Sequence, residues 1–226
     1  MTIYQKIFTG ANMLYMLKGA GFSILIAVAA VIGGSILGLL SASAKLSKRK
    51  FPKLLANVYV EVFRGSPMML QIMLFYLCGP IVTKALFNFV YTPNPLIVGT
   101  FAVAMNSGAY MTELIRSAIQ SIDKGQWEAA QTIGLTHSQT MREVIIPQAF
   151  KRILPPFINE FIILIKDSSL LSTIGAVELL KSAQTIGNNY YNYLIPLLTA
   201  TAMYMVMTMT ISYFARKLER RLAESD

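Results

Sequence analysis

Charged residues, cysteine and histidine are all scarce in this sequence, and each shortage excludes a class of protein. Charged residues make up 14% of the 226 positions, whereas a soluble domain carries about 25%. Because 54% of the residues are hydrophobic, the chain is neither an ordinary soluble globule nor a disordered segment. With one cysteine (Cys78) and one histidine (His137), an intramolecular disulfide framework and a zinc cluster are excluded.

Catalytic motifs are missing as well. The chain has no Gly-rich loop followed by Lys-Ser/Thr, the pattern that cradles nucleotide phosphates. It also offers no plausible Ser-His-Asp arrangement. We therefore expect a protein that is not an enzyme and that holds no metal or cofactor of its own.

The sequence is rich instead in long apolar stretches, which predict an all-α fold with five transmembrane helices. About 20 apolar residues cross a bilayer as a helix, and backbone in lipid must satisfy its own hydrogen bonds. The first stretch exceeds the apolar core of a signal peptide, so we interpret it as a retained span and residues 1–226 as one membrane domain. The predicted spans are about 19–44, 54–79, 96–119, 153–165 and 194–214.

Lysine and arginine alternate between scarce and abundant in the segments between these spans. Five follow the first span, one lies between the second and third, and five lie between Arg116 and Arg152. Positive charge concentrates on the cytoplasmic side, so we expect the plasma membrane, an outside N-terminus and a cytoplasmic C-terminus. The net charge of +9 is then a topology signal that also favours an anionic lipid bilayer, rather than a sign of nucleic-acid binding.

The polar segment 121–150 predicts a structured cytoplasmic elbow. Asp123 is placed to cap a short helix, and Gly134 is placed to end it. Thr136 begins a second helix in a capping-box pattern, and Pro147 is expected to break or kink that helix. A connection this structured is typical of an interaction surface.

The elbow resembles the signature loop of ABC-importer permease subunits. That pattern stands here as Glu128-Ala129-Ala130, then Gly134 after three residues, then Val144-Ile145-Ile146-Pro147 after nine more. The stretches 60–70, 109–130 and 159–175 resemble the polar amino-acid branch of the family, which includes histidine, arginine and glutamine permeases. The resemblance extends from about residue 15 to residue 220.

This resemblance implies a type I ABC-importer permease fold and a set of partners. These are a second permease subunit (the same chain or a sister chain), an ATP-binding cassette subunit that holds ATP-Mg, and an extracytoplasmic amino-acid-binding protein. The transported substrate would be a polar amino acid, with basic ones favoured. Two alternatives stay open: an ATP-independent carrier or channel, and a membrane scaffold or sensor that transports nothing.

The elbow residues expected to contact the ATPase are Trp127, Glu128, Ala129, Ala130 and Gly134. A rigid lever transmits motion, and small alanines allow another subunit to approach closely. Trp127 and Ala130 are predicted to share one helix face with Ile133. The alternative is a helix pair that only packs beneath the bundle.

Charged residues inside the spans are expensive and therefore informative. Glu61 and Arg64 lie three residues apart on one helix face, and Glu113 and Arg116 repeat that spacing. Each pair is a candidate for binding substrate. Mutual neutralisation that fixes helix packing is at least as good an interpretation.

Glu160 has no basic residue within reach on its own helix turn. It lies midway between Arg152 and Lys166, so we place it near the bilayer centre. One interpretation is a wet cavity that accepts an ammonium or guanidinium group, with Asn159 as a hydrogen-bond partner. The other is an ion pair with Arg64 or Arg116.

Three further polar residues are candidates for the same cavity. Pro67 frees a backbone carbonyl inside the second span, and broken helices in transporters often mark the substrate path. Gln71 lies two turns from Arg64, while Ser107 and Tyr110 lie on the third span. The alternative for Pro67 is a simple kink.

Overall fold

The computed structural model describes residues 3–223, and this part of the chain is almost wholly helical and contains no β-strand. The prediction of an all-α fold is therefore confirmed. Residues 1–2 and 224–226, the ends of the predicted domain 1–226, lie outside the described residues.

Within residues 3–223 the α-helices are numbered in chain order. They are α1 (Ile3–Ile7), α2 (Gly10–Leu46), α3 (Lys50–Gly65), α4 (Met68–Met73), α5 (Gly79–Phe87), α6 (Pro95–Gln120), α7 (Lys124–Thr132), α8 (His137–Gln139), α9 (Ile146–Asp167), α10 (Leu179–Tyr190) and α11 (Leu194–Ala223). Two π-helical segments, Leu74–Cys78 and Thr140–Ile145, and a 3-10 helix, Ser168–Ile174, join some of them.

Three helical runs are long and apolar enough to cross a membrane: Gly10–Leu46, Met68–Phe87 and Leu194–Leu218. Helices α6 and α9 have 26 and 22 residues, which corresponds to about 39 and 33 Å at 1.5 Å per residue. Both lengths suffice for a hydrocarbon core of about 30 Å. Since α6 and α9 are more polar than the other three, the number of five spans stays a prediction.

The predicted second span, 54–79, is a broken helix, which agrees with that interpretation of Pro67 and not with a simple kink. Helix α3 ends at Gly65, Ser66 and Pro67 are extended, and α4 begins at Met68. Proline disfavours helical backbone at the residue before it, so the break falls at Ser66. The helical run after the break continues to Phe87, beyond the predicted end.

Of the two outcomes predicted for Pro147, a break or a kink, the break is not observed. The π-helical segment Thr140–Ile145 leads directly into α9, so the backbone stays helical through Pro147. Proline has no backbone N–H and cannot donate the usual hydrogen bond of an α-helix. The wider i→i+5 hydrogen bonding of the preceding π segment accommodates this. Helix α9 consequently exceeds the predicted fourth span, 153–165, at both ends, because charged residues at the ends of a helix hid its true length.

Helix α2 packs most extensively against α6, with small residues at the contact. A methyl group added at Gly38 would lie 2.5 Å from Cβ of Met111, and one added at Gly34 would lie 2.9 Å from Oγ of Ser107. Glycine therefore permits an approach that any other residue would prevent. A buried core of α2, α4, α6 and α9 surrounds this contact, and a second core joins α2 to α10 and α11.

Candidate functional site

The polar face between α6 and α9 carries Glu160. Oγ of Ser107, which is fully buried on α6, donates a hydrogen bond of 3.2 Å to Oε1 of Glu160 on α9. Glu160 is half-buried, and the neighbouring Asn159 is exposed. Neither Arg64 nor Arg116 forms an ion pair with Glu160, so that alternative is not observed. The carboxylate is thus held by a hydroxyl and faces an accessible side of the helix pair.

Arg64 lies over the ring of Tyr110, with Cζ 5.2 Å from the ring centroid. The predicted pair with Glu61 does not form, because Glu61 is exposed and makes no ion pair among the described residues. The aromatic face attracts the guanidinium without neutralising its charge. Arg64 is therefore a cation without a carboxylate partner in the described structure.

Glu113 forms the predicted ion pair with Arg116, and a lysine from α2 completes it. Oε2 of Glu113 accepts from Nη2 of Arg116 at 2.6 Å, and Oε1 accepts from Nζ of Lys45 at 2.5 Å. Both carboxylate oxygens are engaged by these side chains, which join α2 to α6. This geometry supports the packing interpretation of Glu113 and leaves little capacity for a ligand.

Gln71 stabilises the helix break, and it also lines a mostly apolar cavity of about 650 Å³ that is separate from Glu160. Its Nε2 donates to the carbonyl of Phe63 at 2.8 Å, to the carbonyl of Ser66 at 3.0 Å and to Oγ of Ser66 at 2.8 Å. Its Oε1 accepts from Nδ2 of Asn106 at 2.9 Å. Gln71 is buried and these groups engage its amide, so its predicted role in substrate binding stays a prediction.

A polar cleft of about 570 Å³ opens at the elbow end of α3, α6 and α9. Its lining has two arginines, a tyrosine, two serines and one carboxylate, and it includes Arg64, Tyr110, Glu113, Ser117, Ser121, Arg152 and Pro156. We call this space the arginine cleft. It brings together three of the predicted site residues. The other five are not part of its lining: Glu61, Gln71, Ser107, Asn159 and Glu160.

The elbow folds much as the sequence predicts. The side chain of Asp123 accepts from the backbone N–H of Gly125, which caps α7, and Gly134 adopts φ +85°. Thr136 and Gln139 form a complete capping box. Left-handed backbone favours glycine, so Gly134 sets the turn between the two helices.

The exposed face of the elbow differs from the predicted one. Ala130 is buried against its own chain, and the ring of Trp127 stacks on His137 at 5.4 Å. Ile133 does not share this packed face, since 77% of its surface is exposed. Glu128, Ala129 and Gly134 are exposed too, so these three of the predicted contact residues remain accessible to a partner, together with Ile133.

Hydrogen bonds tie the elbow to α9. Nε2 of Gln148 donates to Oε1 of Gln126 at 3.0 Å. Nη1 of Arg152 donates to the backbone carbonyl of Ser121 at 2.5 Å and to its Oγ at 2.8 Å. A displacement of the elbow would therefore act directly on the helix that carries Glu160.

One buried carboxylate, Glu178, is not among the residues predicted from the sequence. Its Oε2 accepts from the hydroxyl of Tyr204 at 2.6 Å and from Oγ of Ser23 at 3.4 Å. Its carboxylate also accepts backbone N–H groups of Leu180 and Lys181, which caps α10. The local sequence shows only an acidic residue before a helix. It does not indicate that Glu178 links α2, α10 and α11 through these hydrogen bonds.

Asn106 and Lys45 are two further polar residues that the sequence prediction does not include. Asn106 neighbours Ser107 in an otherwise apolar stretch, which was an available signal. Lys45 contacts Glu113 from a distant helix, and nothing in the local sequence indicates that contact.

Comparison with known proteins identifies relatives along most of the chain. Residues 34–224 match the family described as binding-protein-dependent transport system inner membrane component. A putative glutamine transport system permease protein of Rickettsia typhi is 35% identical over 211 residues, covering 93% of this chain and 94% of that protein. An arginine transport system permease protein of Bacillus subtilis is 35% identical over 212 residues, with 94% of each chain covered. A crystal structure of an amino acid ABC transporter with histidines superposes with TM-score 0.86 at 39% identity, covering 92% of this chain and 94% of that chain.

Proposed function

The chain belongs to the family of binding-protein-dependent transport system inner membrane components, and we propose that it is the permease subunit of an ATP-driven importer of polar amino acids. The fold predicted from the sequence, that of an ABC-importer permease, is confirmed by the structural similarity. The relatives named for glutamine and arginine transport support an amino-acid substrate.

Glu160 carries the proposal for substrate binding. It is a half-buried carboxylate without a cationic partner in the described structure. Ser107 donates a hydrogen bond to it on the polar face between α6 and α9. A carboxylate in such surroundings favours a ligand cation that restores its lost solvation. This favours basic amino acids, whose guanidinium, imidazolium or ammonium group would meet Glu160.

The elbow supports the proposal for coupling. An ATP-binding cassette subunit that hydrolyses ATP-Mg would contact the exposed face of Glu128, Ala129 and Ile133. The hydrogen bonds from the elbow to Gln148 and Arg152 would then transmit the movement to α9. The remaining proposed partners are an extracytoplasmic amino-acid-binding protein and a second permease subunit.

In this arrangement the elbow lies in the cytoplasm, with the C-terminus inside and the N-terminus outside. Alternating access would expose Glu160 first to the outer side and then to the cytoplasm. The arginine cleft lies between Glu160 and the elbow, so it would be the cytoplasmic part of the pathway.

Reconstitution into vesicles tests this function. Vesicles that hold the permease, its ATPase subunit and its binding protein should accumulate a radiolabelled amino acid only when ATP is supplied to the ATPase. Omitting the ATPase subunit should abolish uptake. Uptake that persists without it would identify an ATP-independent carrier or channel and refute the proposal.

A charge reversal at the elbow tests the coupling surface separately. Glu128→Lys should reduce co-purification of the ATPase subunit, because Glu128 is exposed on the proposed contact face. Lys84→Glu, an exposed charge reversal on α5, is the matched control and should leave co-purification unchanged. Equal co-purification of both variants would contradict docking at this face.

A further inference from the structure

The arginine cleft carries excess positive charge. Arg64 and Arg152 both line it and neither forms an ion pair with a carboxylate in the described structure. The one acidic residue of the lining, Glu113, is already engaged by Lys45 and Arg116. An anion that enters this space therefore meets guanidinium groups whose charge is uncompensated.

Arg64 retains free hydrogen-bond donors. Its guanidinium lies over the ring of Tyr110, and a ring face accepts no strong hydrogen bond from the N–H groups at the guanidinium edge. Arg152, in contrast, already uses Nη1 to hold Ser121. A planar guanidinium with free donors suits bidentate binding of a carboxylate.

The cleft begins one helical turn from Glu160. On α6, Tyr110 follows Ser107 by three residues, and on α9, Pro156 precedes Glu160 by four. Residues at these spacings lie on the same helix face, about 5–6 Å apart. Glu160 thus lies one helical turn beyond the cleft, while Arg64 of α3 lies over Tyr110 within the lining of the cleft.

We propose that Arg64 binds the α-carboxylate of the amino acid whose cationic side chain meets Glu160. This inference rests on the proposed function and adds an orientation to it: the side chain points to Glu160 and the carboxylate points to the elbow end. A ligand that reaches from Glu160 into a cleft that begins one helical turn away must be long, which favours arginine over shorter basic amino acids. Arg64 is then the residue that distinguishes amino acids from simple amines.

Paired ligands test this directly. Agmatine is arginine without its carboxylate, so it can meet Glu160 but has nothing for Arg64 to bind. Calorimetry on the complete purified assembly should show that Arg64→Gln weakens arginine binding by about 10- to 100-fold, as expected for loss of a charged hydrogen bond. Agmatine binding should change by less than about twofold, because the altered group does not contact it.

Two further variants keep the test decisive. Arg64→Lys retains the charge but loses the guanidinium fork, so its arginine affinity should lie between those of wild type and Arg64→Gln. Arg49→Gln removes an exposed arginine at the start of the same helix and should leave both ligands unaffected. Unchanged agmatine binding by Arg64→Gln also demonstrates that the variant is folded.

Three outcomes would overturn the inference. One is an equal loss of arginine and agmatine affinity in Arg64→Gln, which would make Arg64 a structural residue. Another is unchanged arginine affinity in that variant. In the third outcome, phosphatidylglycerol stabilises wild type but not Arg64→Gln, and arginine stabilises neither. That result would identify a lipid phosphate as the anion that Arg64 binds. Failure of the proposed function is separately visible, since wild-type vesicles would then accumulate no amino acid with ATP.

Discussion

Replacing Gln71 with leucine removes the side chain that satisfies the backbone at the break between α3 and α4. In the variant, Asn106 still donates to the carbonyl of Phe63 at 3.0 Å. The carbonyl of Ser66 and one N–H of Asn106 lose their partner. Each unsatisfied buried group costs about 1–3 kcal/mol. Since Ser66 is only partly buried, we expect a loss of about 2–4 kcal/mol in the free energy of unfolding.

Thermal unfolding of the purified permease in detergent measures this loss. For a chain of this size, 1 kcal/mol corresponds to a shift in Tm of about 2–4 °C, so Gln71→Leu should lower Tm by about 4–16 °C. Gln131→Leu is the control, because Gln131 is exposed on the elbow, and its shift should stay within about 2 °C. Equal Tm values for the two variants would refute the idea that Gln71 holds the break.

Three other substitutions test packing, charge and turn geometry. Gly38→Ala should lower Tm by several degrees because its methyl group would meet Met111, whereas Gly21→Ala, where nothing lies within 4 Å, should not. Glu113→Gln should destabilise the fold by about 1–3 kcal/mol, measured by the same unfolding assay, because two cations lose their partner; the exposed Glu143→Gln should change it little. Gly134→Val should abolish substrate-stimulated ATPase activity in vesicles, because valine strains the left-handed turn of the elbow. Wild-type values for any of these variants would contradict the corresponding contact.

Local sequence signals predicted the elbow well. Asp123, Gly134 and the Thr136–Gln139 capping box act through neighbours three or four residues away, so their roles follow from spacing alone. The long uncharged stretches 19–44 and 194–214 both lie within continuous helices. Their helical structure also follows from local sequence, because an uncharged apolar run of this length is typical of a membrane helix. The effect of each proline on its helix was harder to predict from the sequence. Pro67 follows a break between two helices, whereas a π segment accommodates Pro147 within a continuous helix.

Long-range polar contacts could not be predicted from the sequence. The pairing of Glu61 with Arg64 was expected from their spacing, but Arg64 lies instead over Tyr110 of another helix. Glu113 recruits Lys45 across 68 residues of chain. Gln71 is predicted from the sequence to bind a ligand, but its side-chain amide donates to backbone carbonyls at the helix break. These choices depend on how whole helices pack, and spacing within one helix contains no information about that.

The selectivity of uptake by Glu160→Gln in ATP-energised vesicles tests the central claim most directly. Glutamine at this position keeps the size and the hydrogen bond to Ser107 but removes the negative charge that would meet a basic side chain. The ratio of arginine uptake to glutamine uptake should fall by about tenfold or more relative to wild type, because a charged hydrogen bond is lost for arginine only. An equal loss for both amino acids, with the ratio unchanged, would contradict the account.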